Sequence, residues 1–129
     1  MGLQAFDETL AVLAQENLVN ANGTAYSALV PSGTGQKRLD AIVTTNTDAI
    51  AHVVNLQVTV GATSTFLGSV SVPAGAGVGG VAPVDLIAGL GLPSLTALVL
   101  PAASILSVAV AVAVTAPQTV AMTAFGGTV

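Results

Sequence analysis

The chain contains one histidine, His52, and no cysteine. A Ser-His-Asp hydrolase needs a nucleophilic serine and an orienting acid around such a ring, and no G-x-S-x-G nucleophile elbow is present. Because cysteine is missing, thiol catalysis, zinc–thiolate sites and disulfides are excluded. His52 shares the face of an alternating apolar segment with Val54 and Leu56. We interpret it as a structural or surface residue and predict no catalytic residue.

The acidic residues are scattered along the chain: Asp7, Glu8, Glu16, Asp40, Asp48 and Asp85. Two carboxylates can meet in space to hydrolyse a glycoside. With no tryptophan, one tyrosine and three phenylalanines, however, the chain lacks the aromatic platforms that are usual in sugar clefts. It also has no D-x-D-x-D-G loop for calcium. We predict neither a metal site nor a cofactor.

The segment 75–80 (GAGVGG) has the G-x-G-x-x-G spacing of dinucleotide-binding loops. That motif works because a helix follows and its N-terminus meets the pyrophosphate. Here Pro83, Gly89 and Gly91 follow, which leaves no room for a helix of useful length. We interpret the segment as a flexible crossover between two sheets.

The composition favours assembly. Hydrophobic residues make up 53% of the 129 residues and charged residues only 6%, whereas a typical domain has about a quarter charged residues. The surface must therefore consist largely of small uncharged residues, and it is either unusually bland or covered by partners. The missing charge favours the second alternative.

The two basic residues, Lys37 and Arg38, are adjacent, and the net charge is −4. Two cations cannot supply the several phosphate contacts of nucleic-acid binding. We interpret them as solvated charges on an edge strand, where charge discourages aggregation. A pairing with Asp40, Asp48 or a neighbouring subunit is the alternative.

The mean hydropathy of +0.87 raises the question of a membrane span. The longest apolar stretch, 98–116, contains Pro101, and its valines alternate with alanines over 108–114. A period of two is typical of a strand, and basic flanks are absent. We predict no membrane-spanning segment and no membrane partner. The N-terminus lacks the charged and apolar regions of a signal peptide.

From residue 23 onward the sequence alternates between strands and turns. The segments 37–45, 52–60 and 65–72 predict a three-stranded antiparallel meander. Further strands are predicted at 25–30, 95–100, 104–114 and 119–125, and 84–88 is either a short strand or a helical turn. About seven or eight strands predict an all-β fold, an antiparallel β-sandwich or jelly roll over 23–129.

Residues 1–22 differ from the rest because they combine several acids with few β-branched residues. Leu3, Phe6, Leu10 and Leu13 recur at helical spacing and would line one face. We predict an N-terminal arm with a short amphipathic helix over roughly 6–16. These four residues are candidate interface residues, and the arm packs either on its own sandwich or on a neighbouring subunit.

The order of segments is also informative. Residues 25–35 (AYSALVPSGTG) are followed by 38–48 (RLDAIVTTNTD), a valine-rich strand, 72–75 (VPAG) and a Leu-Pro-Ala turn before 105–114. Over about residues 20–126 this order resembles the small β-sandwich structural proteins encoded among the virion genes of tailed bacteriophages.

The resemblance implies a minor capsid, decoration or head–tail accessory protein that binds surfaces and has no catalytic residues. We expect a decoration, or cement, protein on the capsid exterior, made in the host cytoplasm, that stabilises the shell. Its partners would be the major capsid protein or other virion proteins, and a homo-oligomer is expected, with a trimer favoured. The alternative is a tail, neck or fibre component or a receptor-binding module.

Overall fold

Two antiparallel sheets pack face to face in the computed structural model, which describes residues 11–91 and 98–128. The five-stranded sheet has the order β1 (Val12–Leu18), β9 (Val120–Thr128), β3 (Lys37–Asn46). The other edge of β3 is shared by β6 (Val84–Asp85) and β7 (Leu98–Leu100), which pair with opposite ends of that strand.

The four-stranded sheet has the order β2 (Ser27–Val30), β8 (Ser104–Val110), β4 (His52–Val60), β5 (Thr63–Val72). A 3-10 turn joins β1 to β2, and one short helix, α1 (Leu86–Gly89), follows β6. The predicted all-β sandwich is confirmed. The described residues form nine strands, of which β6 and β7 have only two and three residues.

The core lies between the sheets and is built from the inward side chains of alternating strands. The largest fully buried side chains come from both sheets and include Leu18, Leu29, Leu39, Ile42, Leu56, Leu106 and Met122. Burying each such side chain stabilises the fold by about 1.5–3 kcal/mol relative to leaving it in water. Aliphatic packing in two layers therefore compensates for the scarcity of aromatic residues.

The β4–β5 hairpin is confirmed, but the meander with β3 is wrong. A two-residue turn joins Val60 to Thr63, and Gly61 has the positive φ that a type II′ turn needs at its first central position. The strand β3 instead pairs with β9 in the opposite sheet, and residues 47–51 carry the chain across. A half-buried strand alternates in the same way in either sheet, so its pattern does not report its partner.

The predicted N-terminal helix is corrected from residue 12 onward, where the chain forms β1. This strand pairs with β9 from Val12 opposite Phe125 to Leu18 opposite Val120. A lone short helix is marginal in water, whereas the edge of β9 offers a hydrogen-bonding partner along the whole strand. The segment from Val12 therefore belongs to the sandwich and not to a separate arm.

Of the four candidate interface residues, one lies in the described part of the chain. Leu13 lies in β1, is half-buried and packs against the core. Leu3, Phe6 and Leu10 lie outside the described residues. The arm interface therefore stays a prediction.

The interpretation of Lys37 and Arg38 as edge charges is also wrong, because β3 lies inside its sheet. The Arg38 guanidinium binds the Asp40 carboxylate through two hydrogen bonds of 3.0 and 3.2 Å, which was the alternative pairing. Asp40 is the extra residue of a β-bulge between Leu39 and Ala41. A side chain on Gly126 in β9 would overlap the Arg38 carbonyl oxygen, so the close approach of β9 to β3 at this bulge requires glycine.

Candidate functional site

Four connections meet at one end of the sandwich, which we call the loop end. It consists of residues 19–26, 47–51, 73–83 and 111–119, which follow β1, β3, β5 and β8, respectively. The strand registers place these connections together, because Leu18 and Asn46 both lie opposite Val120. Loops gathered at one end of a rigid sandwich are a common place for binding.

Asn46, the last residue of β3, joins two of these loops. Its amide nitrogen donates to the carbonyl oxygens of Ile50 at 2.9 Å and Pro73 at 3.2 Å. Its amide oxygen accepts from the backbone N–H of Asp48 at 2.9 Å, an Asx turn. The segment 45–48 (TNTD) is rich in the residue types that form such turns.

Asp48 and His52 attach the loop 111–119 to the two loops that Asn46 joins. The Asp48 carboxylate accepts from His52 Nε2 at 2.9 Å and from the backbone N–H of Thr115 at 2.8 Å. The other ring nitrogen, His52 Nδ1, lies 3.1 Å from the carbonyl oxygen of Val112. We call Asn46, Asp48 and His52 the polar clamp, and all three are buried.

The outer loops are fastened by two further contacts. The Asn20 side chain donates to the Val114 carbonyl oxygen at 2.9 Å, which attaches 19–26. Thr47 and Thr119 exchange hydrogen bonds of 3.0 and 3.1 Å. Within the described residues, every buried side-chain nitrogen and oxygen has a partner. A fully satisfied network of this kind favours one arrangement of the loops.

The clamp has an electrostatic consequence. The hydrogen bond from His52, with those from the backbone of Thr115 and Ala49, holds the pKa of the Asp48 carboxyl well below its usual range. Burial raises this pKa, but its effect is smaller than that of the hydrogen bond from His52. Asp48 is therefore a carboxylate in the folded protein at neutral pH.

His52 has no nitrogen free for catalysis. A carboxylate oxygen and a carbonyl oxygen lie within hydrogen-bonding distance of its two nitrogens, so both nitrogens already have a partner in the protein. A general base must instead reach a proton of the substrate. The ring is also sealed from solvent, so the geometry gives it a structural task.

The outside of the loop end is uncharged and exposes several large apolar side chains. Ile50, Val78, Val81 and Val112 are exposed by 45%, 52%, 41% and 61%, respectively. Asp48 is the one charged residue in the four loops, and it is buried. The polar clamp thus holds together the three loops that carry these exposed side chains.

An open cavity of about 300 Å³ lies between two of these loops. It is lined by Val19, Asn20 and Ala21 on one side and by Ala116, Pro117 and Gln118 on the other. No lining residue titrates near neutral pH, so the cavity offers contact surface but no acid–base chemistry.

The glycine-rich segment forms the crossover that was predicted, from β5 in one sheet to β6 in the other. It is held by hydrogen bonds from Gly77 N–H to the Val81 carbonyl at 2.7 Å and from Asn46 N–H to the Ala76 carbonyl at 3.0 Å. The helix after it, α1, has four residues, too few for a dinucleotide site.

Other site classes find no support in residues 11–91 and 98–128. No group of three or more metal-ligating side chains occurs there. In the same ranges no helix has the length and hydropathy to cross a bilayer. Comparisons with family models, curated proteins and solved structures gave no match.

No local sequence pattern identifies the loop end. Its exposed valines and isoleucine read as ordinary loop or strand residues, and nothing local marks them as neighbours. One feature of the sequence does distinguish these four loops: apart from Asp48, they contain no charged residue.

Proposed function

We propose that this chain is a non-enzymatic structural protein of a virion, a capsid decoration or cement protein that attaches to the outer shell through its loop end. The observation that carries the proposal is the combination of exposed apolar side chains with a buried clamp that fixes the loops bearing them. The resemblance of segment order to phage virion proteins supplies the biological setting.

The loop end is suited to a protein surface for an energetic reason. Association costs the ordering of loops and side chains, and a surface fixed in advance reduces that cost. Valine and isoleucine have few rotamers to lose. Displacing water from them is favourable, and no exposed charge in these loops has to be desolvated.

The mechanical role follows from the same contact. A decoration protein that buries area on two neighbouring capsid subunits opposes their separation, so the shell withstands more internal pressure. Neither a cofactor nor nucleic acid takes part in this scheme, and the partner is the major capsid protein or another virion protein. The protein would be made in the host cytoplasm and act on the capsid exterior.

The proposal is tested by co-sedimentation with undecorated shells built from the capsid protein of the virus that encodes the chain. We expect wild type to bind. Ile50→Lys and Val112→Lys should each weaken binding by about tenfold or more, because they place a charge in an apolar contact. Val99→Lys is the matched control, since Val99 is equally exposed (53%) but lies in β7 at the other end.

Wild type that fails to sediment with shells would contradict the decoration role. Binding that survives both loop-end substitutions would contradict the assignment of the surface. Binding to purified tail or neck proteins or to host cells, without binding to shells, would favour the alternative of a tail, neck or fibre component or a receptor-binding module. That alternative uses the same loop end.

A further inference from the structure

The free edges of the two sheets differ in how they are protected. In the five-stranded sheet, β1 carries Glu16, β6 is two residues long and carries Asp85, and β7 is three residues long and pairs with Lys37 and Arg38. Charged residues and short strands are the means by which natural proteins keep sheet edges from pairing with other chains.

The four-stranded sheet has one short and one long edge. Its short edge, β2, has four residues, lies beside β1, and is tied to it by a hydrogen bond from the Ser27 hydroxyl to the Glu16 carboxylate. Its long edge, β5, has ten residues with no charge and no proline. A single bulge at Leu67 interrupts its register with β4.

Within residues 11–91 and 98–128, β5 has a neighbouring strand on one side only. In an antiparallel strand, about half of the backbone N–H and C=O groups point away from a given neighbour. Among the described residues, no strand but β4 pairs with β5, and no loop or helix backbone donates to it or accepts from it. The part of this edge ahead of the bulge, Thr63–Phe66, is therefore a template for one more strand.

The exposed side chains along this edge suit a strand partner. Thr63, Ser64 and Thr65 are exposed, and threonine favours strands. They are followed by Phe66, which is exposed by 59% and is the most exposed aromatic side chain of the described residues. An aromatic residue on an open, uncharged edge gains contact area when a second strand covers it.

We propose that β5 pairs antiparallel with β5 of a second copy of this chain, so that one sheet runs through both. A second copy is the occupant because it brings an edge of the same length, and antiparallel pairing of identical strands closes with two-fold symmetry. The four-stranded sheet contains no Lys, Arg, Asp or Glu. Two copies with a net charge of −4 each thus meet along strands that carry none of that charge.

This contact gives a dimer where the sequence favoured a trimer, and it is independent of the capsid role. It leaves Val112 of the loop end uncovered, because Val112 follows β8, which β4 separates from the β5 edge. The pair of copies would present two loop ends for attachment.

The test is the molar mass of the purified full chain by light scattering over a range of concentrations, without shells. Wild type should have about twice the monomer mass of 12.5 kDa. Phe66→Lys should raise the dimer dissociation constant by about tenfold or more, because it removes an apolar contact and adds two cations to an otherwise uncharged strand pair. Val99→Lys, which adds the same charge to a protected edge, should remain dimeric.

Circular dichroism and melting temperature confirm that each variant is folded. A wild-type monomer at every concentration would overturn the proposal, as would a trimer or a dimer that Phe66→Lys leaves intact. Loss of the dimer in both variants would also overturn it, since the contact would then not be specific to β5. Shell binding plays no part in this readout, so the two proposals fail separately.

Discussion

At the scale of single residues, Asp48 does most to position the loop end. Its carboxylate accepts hydrogen bonds from His52, Thr115 and Ala49, and its carbonyl oxygen accepts one from Gly75. One side chain and its backbone thus hold three loops. A buried carboxylate is costly unless such donors surround it, and here the donors are the loops themselves.

We expect Asp48→Asn to lower the free energy of unfolding at neutral pH, because an amide has one acceptor oxygen where the carboxylate has two. The folded-state pKa of Asp48 lies below its unfolded value. The stabilising contribution of the Asp48 carboxylate is therefore complete above about pH 4, near its unfolded pKa. It is lost as the pH falls below that value toward the folded pKa. The stability difference between wild type and variant should shrink over the same range.

Urea denaturation of both proteins between about pH 7 and pH 3 measures this difference. Asp40→Asn is the control, since the Arg38–Asp40 pair lies at the surface and exposed ion pairs contribute little. A difference for Asp48→Asn that stays constant down to about pH 3 would contradict the role given to the carboxylate.

At the scale of elements, the strand β1 decides whether the segment from Val12 is part of the sandwich or a separate arm. It pairs with β9 over its length and ends in Leu18, which is completely buried. Val12, at the other end of the strand, is exposed by 58%. The two residues therefore allow a matched comparison within one strand.

We expect Leu18→Ala to lower the free energy of unfolding by about 2–5 kcal/mol, because it leaves a cavity in the core. Val12→Ala should change it by no more than about 0.5 kcal/mol. Denaturant unfolding of the two variants checks both values. Equal, small effects would mean that β1 contributes as little to the fold as a detached arm would.

The elements that the sequence predicts well are those specified by local patterns. Alternation and a glycine turn define β4 and β5, and the hairpin follows from them. The distribution of strands between sheets is not local, so the pairing of β3 with β9 is invisible in either segment. β1 was missed because Leu10 and Leu13 also satisfy a helical spacing, and only the edge of β9 decides between the two.

The candidate site likewise has local contacts, which the sequence predicts, and long-range contacts, which it does not. The Asx turn at Asn46 is a contact between residues two apart, and its sequence signature is sufficient. The partners of Asp48 and His52 in the loop 111–119 are 67 and 60 residues away along the chain, respectively. No spacing rule links such positions, so the clamp emerges only when the two sheets are stacked.

At the scale of the whole molecule, charge is confined to one side. All charged residues in the described ranges except Asp48 lie in the five-stranded sheet: Glu16, Lys37, Arg38, Asp40 and Asp85. The four-stranded sheet and the outside of the loop end carry none. A charged face maintains solubility, and the uncharged remainder is the part that we propose to be covered in the assembled particle.

The most direct test of this account is an electron cryo-microscopy map of shells to which the purified protein has been added. We expect density for the sandwich on the shell exterior, with the loop end against the capsid protein and the five-stranded sheet toward solvent. Attachment through the five-stranded sheet, or shells that remain bare at saturating protein, would contradict the central claim that the loop end is the surface by which this chain binds the virion.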